Sequence, residues 1–320
     1  MKNIYLLGEC MVELMTAPAQ TEQAPSSAPK DLKQSFAGDV FNTAVYLKRL
    51  FKDTQVNMVT AVGNDQFSDD MVSFFEAEHL GTDFVFRSED KIPGLYAIQL
   101  DEHGERSFTY WRNNSAARTI MSFINDDTIS TLSEGDIFFF SGISLGVVLP
   151  EDREKFWCFI SKLKVAGVKI AFDLNYRHQL WASKQEAREQ FSIAFKAADI
   201  LLPGVDDFAA IFELDTVEAI IDYFNQYEYQ ELIIKNGEQN VYCLSQTASD
   251  KKQDIVDVTP VEHVVDTTSA GDSFNGGYLG ARMAGHSISQ SVELANQVAG
   301  FVIQHKGAIV DKSAFSSRFN

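Results

Sequence analysis

Short apolar runs alternate with helically spaced stretches along nearly the whole chain, and this alternation constrains the fold more than any other feature. Runs at residues 4–7, 56–62, 136–140, 168–172, 199–202 and 232–234 have strand length. Between several of them the apolar positions recur at helical spacing, as at 40–47, 68–80 and 151–166. Strand–helix alternation predicts a largely parallel sheet covered by helices on both faces. With 320 residues, 45% of them hydrophobic, the chain can bury a sizeable core. Neither an internal repeat nor a domain linker interrupts it, so a single domain over 1–320 is expected.

Two stretches break the alternation. Residues 16–35 are rich in Pro, Ala, Ser and Gln and read as a surface excursion. Residues 84–111 are β-rich, with extended segments at 84–86, 95–100 and 107–111 and a turn at Asp101-Glu102-His103-Gly104. Together with a second strand at 11–15 they predict a small sheet projecting from the main one, formed by about 11–36 and 84–112. Residues 241–258 read as a peripheral hairpin, and 287–304 as the last long helix.

The most chemically suggestive stretch is Asp266-Thr267-Thr268-Ser269-Ala270-Gly271-Asp272, running into Ser273-Phe274-Asn275-Gly276-Gly277-Tyr278. The apolar residues Val261, Val264 and Val265 before it read as a strand end, and a helix rich in small residues follows. A turn of small residues at a helix N-terminus presents backbone N–H groups to an anion. An ionised Asp in the first turn can take a proton from an attacking hydroxyl. A capped helix without chemistry is the competing reading, since Thr, Ser and Asp are ordinary caps.

The string D-T-T-x-A-G-D resembles the C-terminal signature of the ribokinase-like (PfkB) sugar kinases. Phe36-Ala37-Gly38-Asp39-Val40-Phe41-Asn42 is similar to their substrate segment G-G-x-x-x-N, with Ala37 in place of the first glycine. Gly63-Asn64-Asp65-Gln66-Phe67-Ser68 is similar to their V-G-x-D-x-F-G stretch, and Lys235-Asn236-Gly237 to their K-x-G nucleotide loop. Gly94-Leu95-Tyr96, followed by Tyr110, Arg112, Ser115 and Ala116, resembles the lid of 2-keto-3-deoxygluconate kinases. Asp173-Leu174-Asn175-Tyr176-Arg177 resembles the D-x-N-Y-R motif of the same enzymes.

The resemblance covers nearly the whole chain. It implies a three-layer α/β/α fold with a mainly parallel central sheet and a β-sheet lid over the sugar. It implies transfer of the γ-phosphoryl group of ATP, with Mg²⁺, to a sugar hydroxyl. Asp272 would be the base, and the amides of Ser269, Ala270, Gly271 and Asp272 would hold the transferring group. Gly38, Asp39, Asn42, Tyr96, Tyr110, Arg112, Ile143 and Arg177 would contact the sugar. Asn175, Arg177, Lys235, Gly237, Ser269, Gly271 and Asn296 would face the nucleotide. Asp207 stands where many members carry the Glu of N-x-x-E that organises hydrated Mg²⁺, although helix capping also explains an acid there. A planar guanidinium suits a carboxylate or a phosphate, and Arg177 is open to either, or to a structural ion pair. With two arginines expected at the site, a sugar acid is favoured over a neutral ketose such as fructose. A non-catalytic sugar-binding relative is the alternative outside enzymes.

Composition narrows the partners. Lys and Arg number 27 against 45 Asp and Glu, a formal charge of −18 that argues against nucleic acid and anionic membranes. Three scattered cysteines form neither a disulfide framework nor a zinc site. The first residues lack a signal-peptide pattern, so a cytoplasmic protein is expected. Lids of this family often pair between subunits, which leaves a homo-oligomer open. The patterns G-x-x-x-x-G-K-[ST] and G-x-G-x-x-G do not occur, which sets aside P-loop kinases and dinucleotide enzymes.

Overall fold

In the computed structural model, which describes residues 2–16, 31–100, 106–246 and 250–319, the first strand, β1 (Asn3–Leu7), explains the layering. Side chains alternate across a strand. Ile4 and Leu6 enter one core, while Tyr5 and Leu7 enter another on the opposite face. A strand apolar on both sides can sit only between two helical layers.

The chain leaves the main sheet for β2 (Met11–Thr16) and β3 (Leu32–Ala37), returns for β4 (Gln55–Val62) and β5 (Gly81–Arg87), and leaves again for β6 (Leu95–Leu100) and β7 (Arg106–Trp111). The rest of the main sheet follows as β8 (Ile137–Ser141), β9 (Lys169–Asp173), β10 (Ile200–Leu201), β11 (Glu231–Ile234), β12 (Val241–Gln246) and β13 (Lys251–Val256). Its order is β13-β12-β11-β10-β9-β8-β1-β4-β5, parallel from β5 to β11 and closed at one edge by the antiparallel β12–β13 hairpin. Helices Asp39–Leu50, Gln66–Ala77, Ala270–Met283 and Ile288–Val302 cover one face. Helices Arg153–Val165, Lys184–Ala197, Val205–Phe212 and Val217–Phe224 cover the other. The small sheet has the order β3-β2-β6-β7. No helix among the described residues is long and apolar enough to cross a membrane.

Three expectations are corrected. Residues 84–86 belong to β5, which pairs with β4 at the edge of the large sheet, and not to the small one. Phe84 and Phe86 are held there by rings of the body, Tyr5 and Phe123. The excursion expected over 16–35 contains β3, which pairs with β2 from Met11↔Ala37 to Thr16↔Leu32; residues 17–30 and the Asp101–Gly104 turn lie outside the described residues. The apolar stretch before Asp266 is irregular, with Val264 and Val265 about half exposed. The long helix expected at 287–304 is Ile288–Val302, and a short helix, Lys312–Phe319, follows it, with Phe315 buried against Tyr46 and Phe301.

The loops that matter cluster at the C-terminal ends of β1, β8, β9 and β11, where open α/β sheets place their ligands. There the N-termini of the Asp39–Leu50 and Ala270–Met283 helices meet. A Cβ on Gly276 would lie 2.7 Å from the Thr43 carbonyl oxygen and 3.0 Å from Leu47 N. In a free helix Gly→Ala gains about 1 kcal/mol, but here the added carbon meets backbone that cannot turn aside. Gly276→Ala is therefore expected to destabilise the protein by about 2 kcal/mol or more, read as a lowered urea midpoint. An unchanged or raised midpoint would show that the helices can separate at no cost.

Candidate active site

The turn that opens the Ala270–Met283 helix is tied at both ends. Asp266 Oδ1 accepts from Thr268 N–H at 3.0 Å and Oδ2 from Gly307 N–H at 2.7 Å. Ser269 caps the helix at φ 65° and ψ 14°, in the left-handed region. The turn thus requires a positive φ, and serine adopts it where glycine would do so freely. The Ala270 amide donates to Thr267 O at 3.2 Å within the turn. This corrects its assignment as a free donor. The amides of Ser269, Gly271 and Asp272 have no partner among the described residues and remain open to an anion.

Asp272 is in the first helical turn. Its Oδ2 accepts from Asn42 Nδ2 at 2.9 Å, and its carbonyl from Thr43 Oγ1 at 3.2 Å. Burial pushes its carboxyl up to about 7, and the charges of Asp39 and Asp173 push the same way. The Asn42 hydrogen bond and Arg177 oppose them. Asp39, at the start of the Asp39–Leu50 helix, accepts at Oδ2 from Ser141 Oγ at 2.5 Å and from Asn175 Nδ2 at 3.0 Å. Burial raises its proton affinity, and Asp173 adds to the effect.

Gly38 is needed for space: a Cβ there would stand 2.2 Å from the Glu9 carbonyl oxygen. Ala37 ends β3 outside the positive-φ positions, so the missing first glycine costs nothing conformational.

A second group faces the turn. Lys235 Nζ bonds Asp173 Oδ1 at 3.1 Å and Asn275 Oδ1 at 3.2 Å, and Asn275 Nδ2 donates to Asp173 Oδ2 at 2.7 Å. A Cβ on Gly271 would lie 3.8 Å from that ammonium, so the cation borders the open amides. Asp207 Oδ1 accepts from Tyr176 N–H at 3.0 Å and pairs with Arg177 at 3.7 Å. The Arg177 side chain is 57% exposed and screens little. Burial first, then the charge of Asp173, push the Asp207 carboxyl up to about 6. Among the described residues no three His, Cys, Asp or Glu gather as a metal cage. A hydrated Mg²⁺ needs only one or two carboxylates beside phosphate oxygens. Asp207, crowded by Asp173, fits that role.

The other expected residues distribute unevenly. Gly237 takes φ 59° in the turn after Lys235, where glycine is suited. Asn296 bonds none of these groups, and its Nδ2 is buried without a partner among the described residues. Ile143 is half-buried at the start of the Gly142–Val147 helix. Tyr96 is buried, and its hydroxyl donates to Glu13. Tyr110 stacks obliquely on it, with centroids 5.7 Å apart, and is exposed. Arg112 is buried and paired with Glu9 at 2.5 Å. Arg112 acts electrostatically on Asp39, and Arg177 on Asp272 and Asp207, so the two arginines serve different ends of the site. Sequence reasoning missed Asp173, Asn275, Ser141 and Glu9. The first stood at a strand end in a motif already noted; the pairings of the others span long stretches of chain.

The pfkB family carbohydrate kinase model matches residues 1–314. The chain is 37% identical to the 2-dehydro-3-deoxygluconokinase of Haemophilus influenzae, with all of both chains covered. It is 24% identical to the fructokinase of Vibrio alginolyticus over 97% of this chain and 95% of that one. Among solved structures, a putative ribokinase II from Escherichia coli in complex with ATP and Mg²⁺ superposes with a TM-score of 0.79 at 23% identity, covering 96% of this chain and 94% of the other. At that identity it shows the ribokinase-like fold.

The crowding of Asp207 has a measurable consequence. Its folded-state value is about 6 against an ordinary 3.8, so the folded chain holds a proton that the unfolded chain has lost between those values. Stability falls as pH rises through that window, and the loss is complete above it. Asp207→Asn keeps an acceptor for Tyr176 N–H and removes the charge. It is expected to raise stability at pH 8 by up to about 3 kcal/mol, with the gain shrinking toward pH 4, in urea titrations at both pH values. A loss of stability at pH 8 would show that the Arg177 pair outweighs the crowding.

Proposed function

The chain belongs to the pfkB family of carbohydrate kinases, and we propose that this sugar kinase transfers the γ-phosphoryl group of ATP to the 6-hydroxyl of 2-keto-3-deoxygluconate (2-dehydro-3-deoxygluconate). The observation that carries the mechanism is the 2.9 Å bond from Asn42 to Asp272. It joins the helix that begins with Gly38-Asp39 to the helix whose N-terminus presents the open amides. Polyol-holding groups and a base beside an anion site thus meet at one point.

Asp39 and Asn42 hold sugar hydroxyls, and Asn175, expected to face the nucleotide, bonds Asp39 instead. Asp272 takes the proton of the attacking hydroxyl, and a carboxyl near 7 is matched to that work at neutral pH. The amides of Ser269, Gly271 and Asp272, with the Lys235 ammonium beside them, stabilise charge on the transferring group. Mg²⁺ held near Asp207 would neutralise phosphate charge when bound. The small sheet carries Tyr96 and Tyr110 and would exclude water that competes for the phosphoryl group.

The acid substrate is supported by the 2-dehydro-3-deoxygluconokinase relative, full-length at 37% identity, and by the buried Arg112. One observation favours a neutral ketose instead: Glu9 already neutralises Arg112.

Two tests follow. A coupled ADP-release assay with 2-keto-3-deoxygluconate and fructose side by side should give strong turnover with the acid; strong turnover with fructose alone would overturn the substrate. Asp272→Asn should lower kcat by roughly 10²-fold or more with ATP affinity little changed. In the wild type, kcat/KM should fall as pH drops below about 7, because only the ionised carboxylate accepts a proton. Near-normal turnover by the variant would remove Asp272 from the role.

A further inference from the structure

Two side chains from neighbouring strand ends converge on one oxygen of Asp39. Ser141, the last residue of β8, donates from Oγ to Asp39 Oδ2 at 2.5 Å. Asn175, just past the end of β9, donates from Nδ2 to the same oxygen at 3.0 Å. The parallel register explains the convergence, because Ser141 lies opposite Asp173, two residues before Asn175. No side chain among the described residues donates to Asp39 Oδ1.

The Ser141 hydroxyl has one proton, and its surroundings fix where that proton goes. Ser141 caps the Gly142–Val147 helix, so its Oγ accepts from Ser144 N–H at 3.1 Å. Ser144 sends its own hydroxyl proton to Leu7 O at 2.7 Å. The Ser141 proton is left for Asp39. An Asp would cap this helix equally well but has no proton to give, whereas a hydroxyl both caps and donates. Ser141 is 1% exposed, so its effect on a ligand passes through Asp39. Burial raises the proton affinity of Asp39, and the Ser141 bond is the largest effect against it, ahead of the Val40 amide. Asn175 reaches Asp39 from φ 27°, in the left-handed region, where non-glycine residues cluster at functional sites.

We propose that Ser141 is a positioning residue for the sugar: with Asn175 it grips Asp39 by Oδ2, so that Oδ1 stands as a fixed acceptor for one sugar hydroxyl. A carboxylate oriented before binding loses less freedom when the substrate arrives, and an ionised acceptor makes the stronger bond. The proposal rests on the reading of Asp39 as a sugar-holding residue. It applies to an acid and a neutral sugar alike, since the group held is a hydroxyl.

The test is a double-mutant cycle with ATP and Mg²⁺ saturating. The varied sugar is 2-keto-3-deoxygluconate, or fructose if only fructose turns over in the assay above. Asp39→Ala is measured first and should raise KM for the sugar about tenfold or more. An unchanged KM would show that Asp39 does not hold the sugar, and the reading beneath the proposal fails. Given that rise, Ser141→Ala should raise KM about fivefold, with kcat little changed. In the Asp39→Ala background it should lower kcat/KM no further. A helix cap alone would cost the same in both backgrounds, so an equal loss there, or an unchanged KM in the single variant, overturns the proposal. Should Ser141→Ala fail to fold, Asn175→Gly removes the other donor at a backbone conformation that glycine takes freely, and it should show the same pattern. A rise in KM for ATP and not for the sugar, from either variant, would also overturn the proposal.

Discussion

The close approach of the Asp39–Leu50 and Ala270–Met283 helices sets the geometry around it. Gly276 lets the Thr43–Leu47 backbone come within contact of the second helix. That approach brings Asn42 to Asp272 and the Thr43 hydroxyl to the Asp272 carbonyl. Widening the gap by the breadth of one methyl group would break both bonds together. Packing and chemistry are therefore one constraint here.

What this packing confines is negative charge. Asp39, Asp173 and Asp272 stand near enough that the charge of one raises the proton affinity of another. Like charges in a buried site oppose folding. The structure meets that cost with specific partners: Ser141 and Asn175 for Asp39, Lys235 and Asn275 for Asp173, and Asn42 for Asp272. Asp207 has the thinnest cover, a backbone amide and an exposed arginine. Carboxylates this short of cations are poised for a cationic ligand or for a proton. In a kinase of this fold, the first suits a metal–nucleotide complex and the second suits a base.

Much of this was legible in the sequence, for reasons that are local. Strand–helix alternation is a pattern of burial, and β1 reads correctly because both its faces are apolar. The Asp266–Asp272 string places its turn because small residues and a cap act within a few positions. The errors are not local. Residues 84–86 have the composition of a lid strand, but Tyr5 and Phe123 hold them in the body. The pairing of Glu9 with Arg112, and of Lys235 with Asp173, joins residues 103 and 62 positions apart. No spacing rule reaches that far, so the pairing of Arg112 and of Lys235 was beyond the sequence.

Ser269 joins the two kinds of information. A left-handed conformation costs a non-glycine residue about 1–2 kcal/mol, and its hydroxyl is buried without a partner among the described residues. Neither feature aids folding. The left-handed residue lies between the Asp266–Thr268 bond and Gly271, where a Cβ would stand 3.8 Å from Lys235 Nζ. Strain of this kind persists only where surrounding structure over-determines it, as the Asp266 bonds to Thr268 and Gly307 do here. Stability is thus surrendered at the point where open backbone amides, the Asp272 carboxyl and the Lys235 ammonium lie side by side.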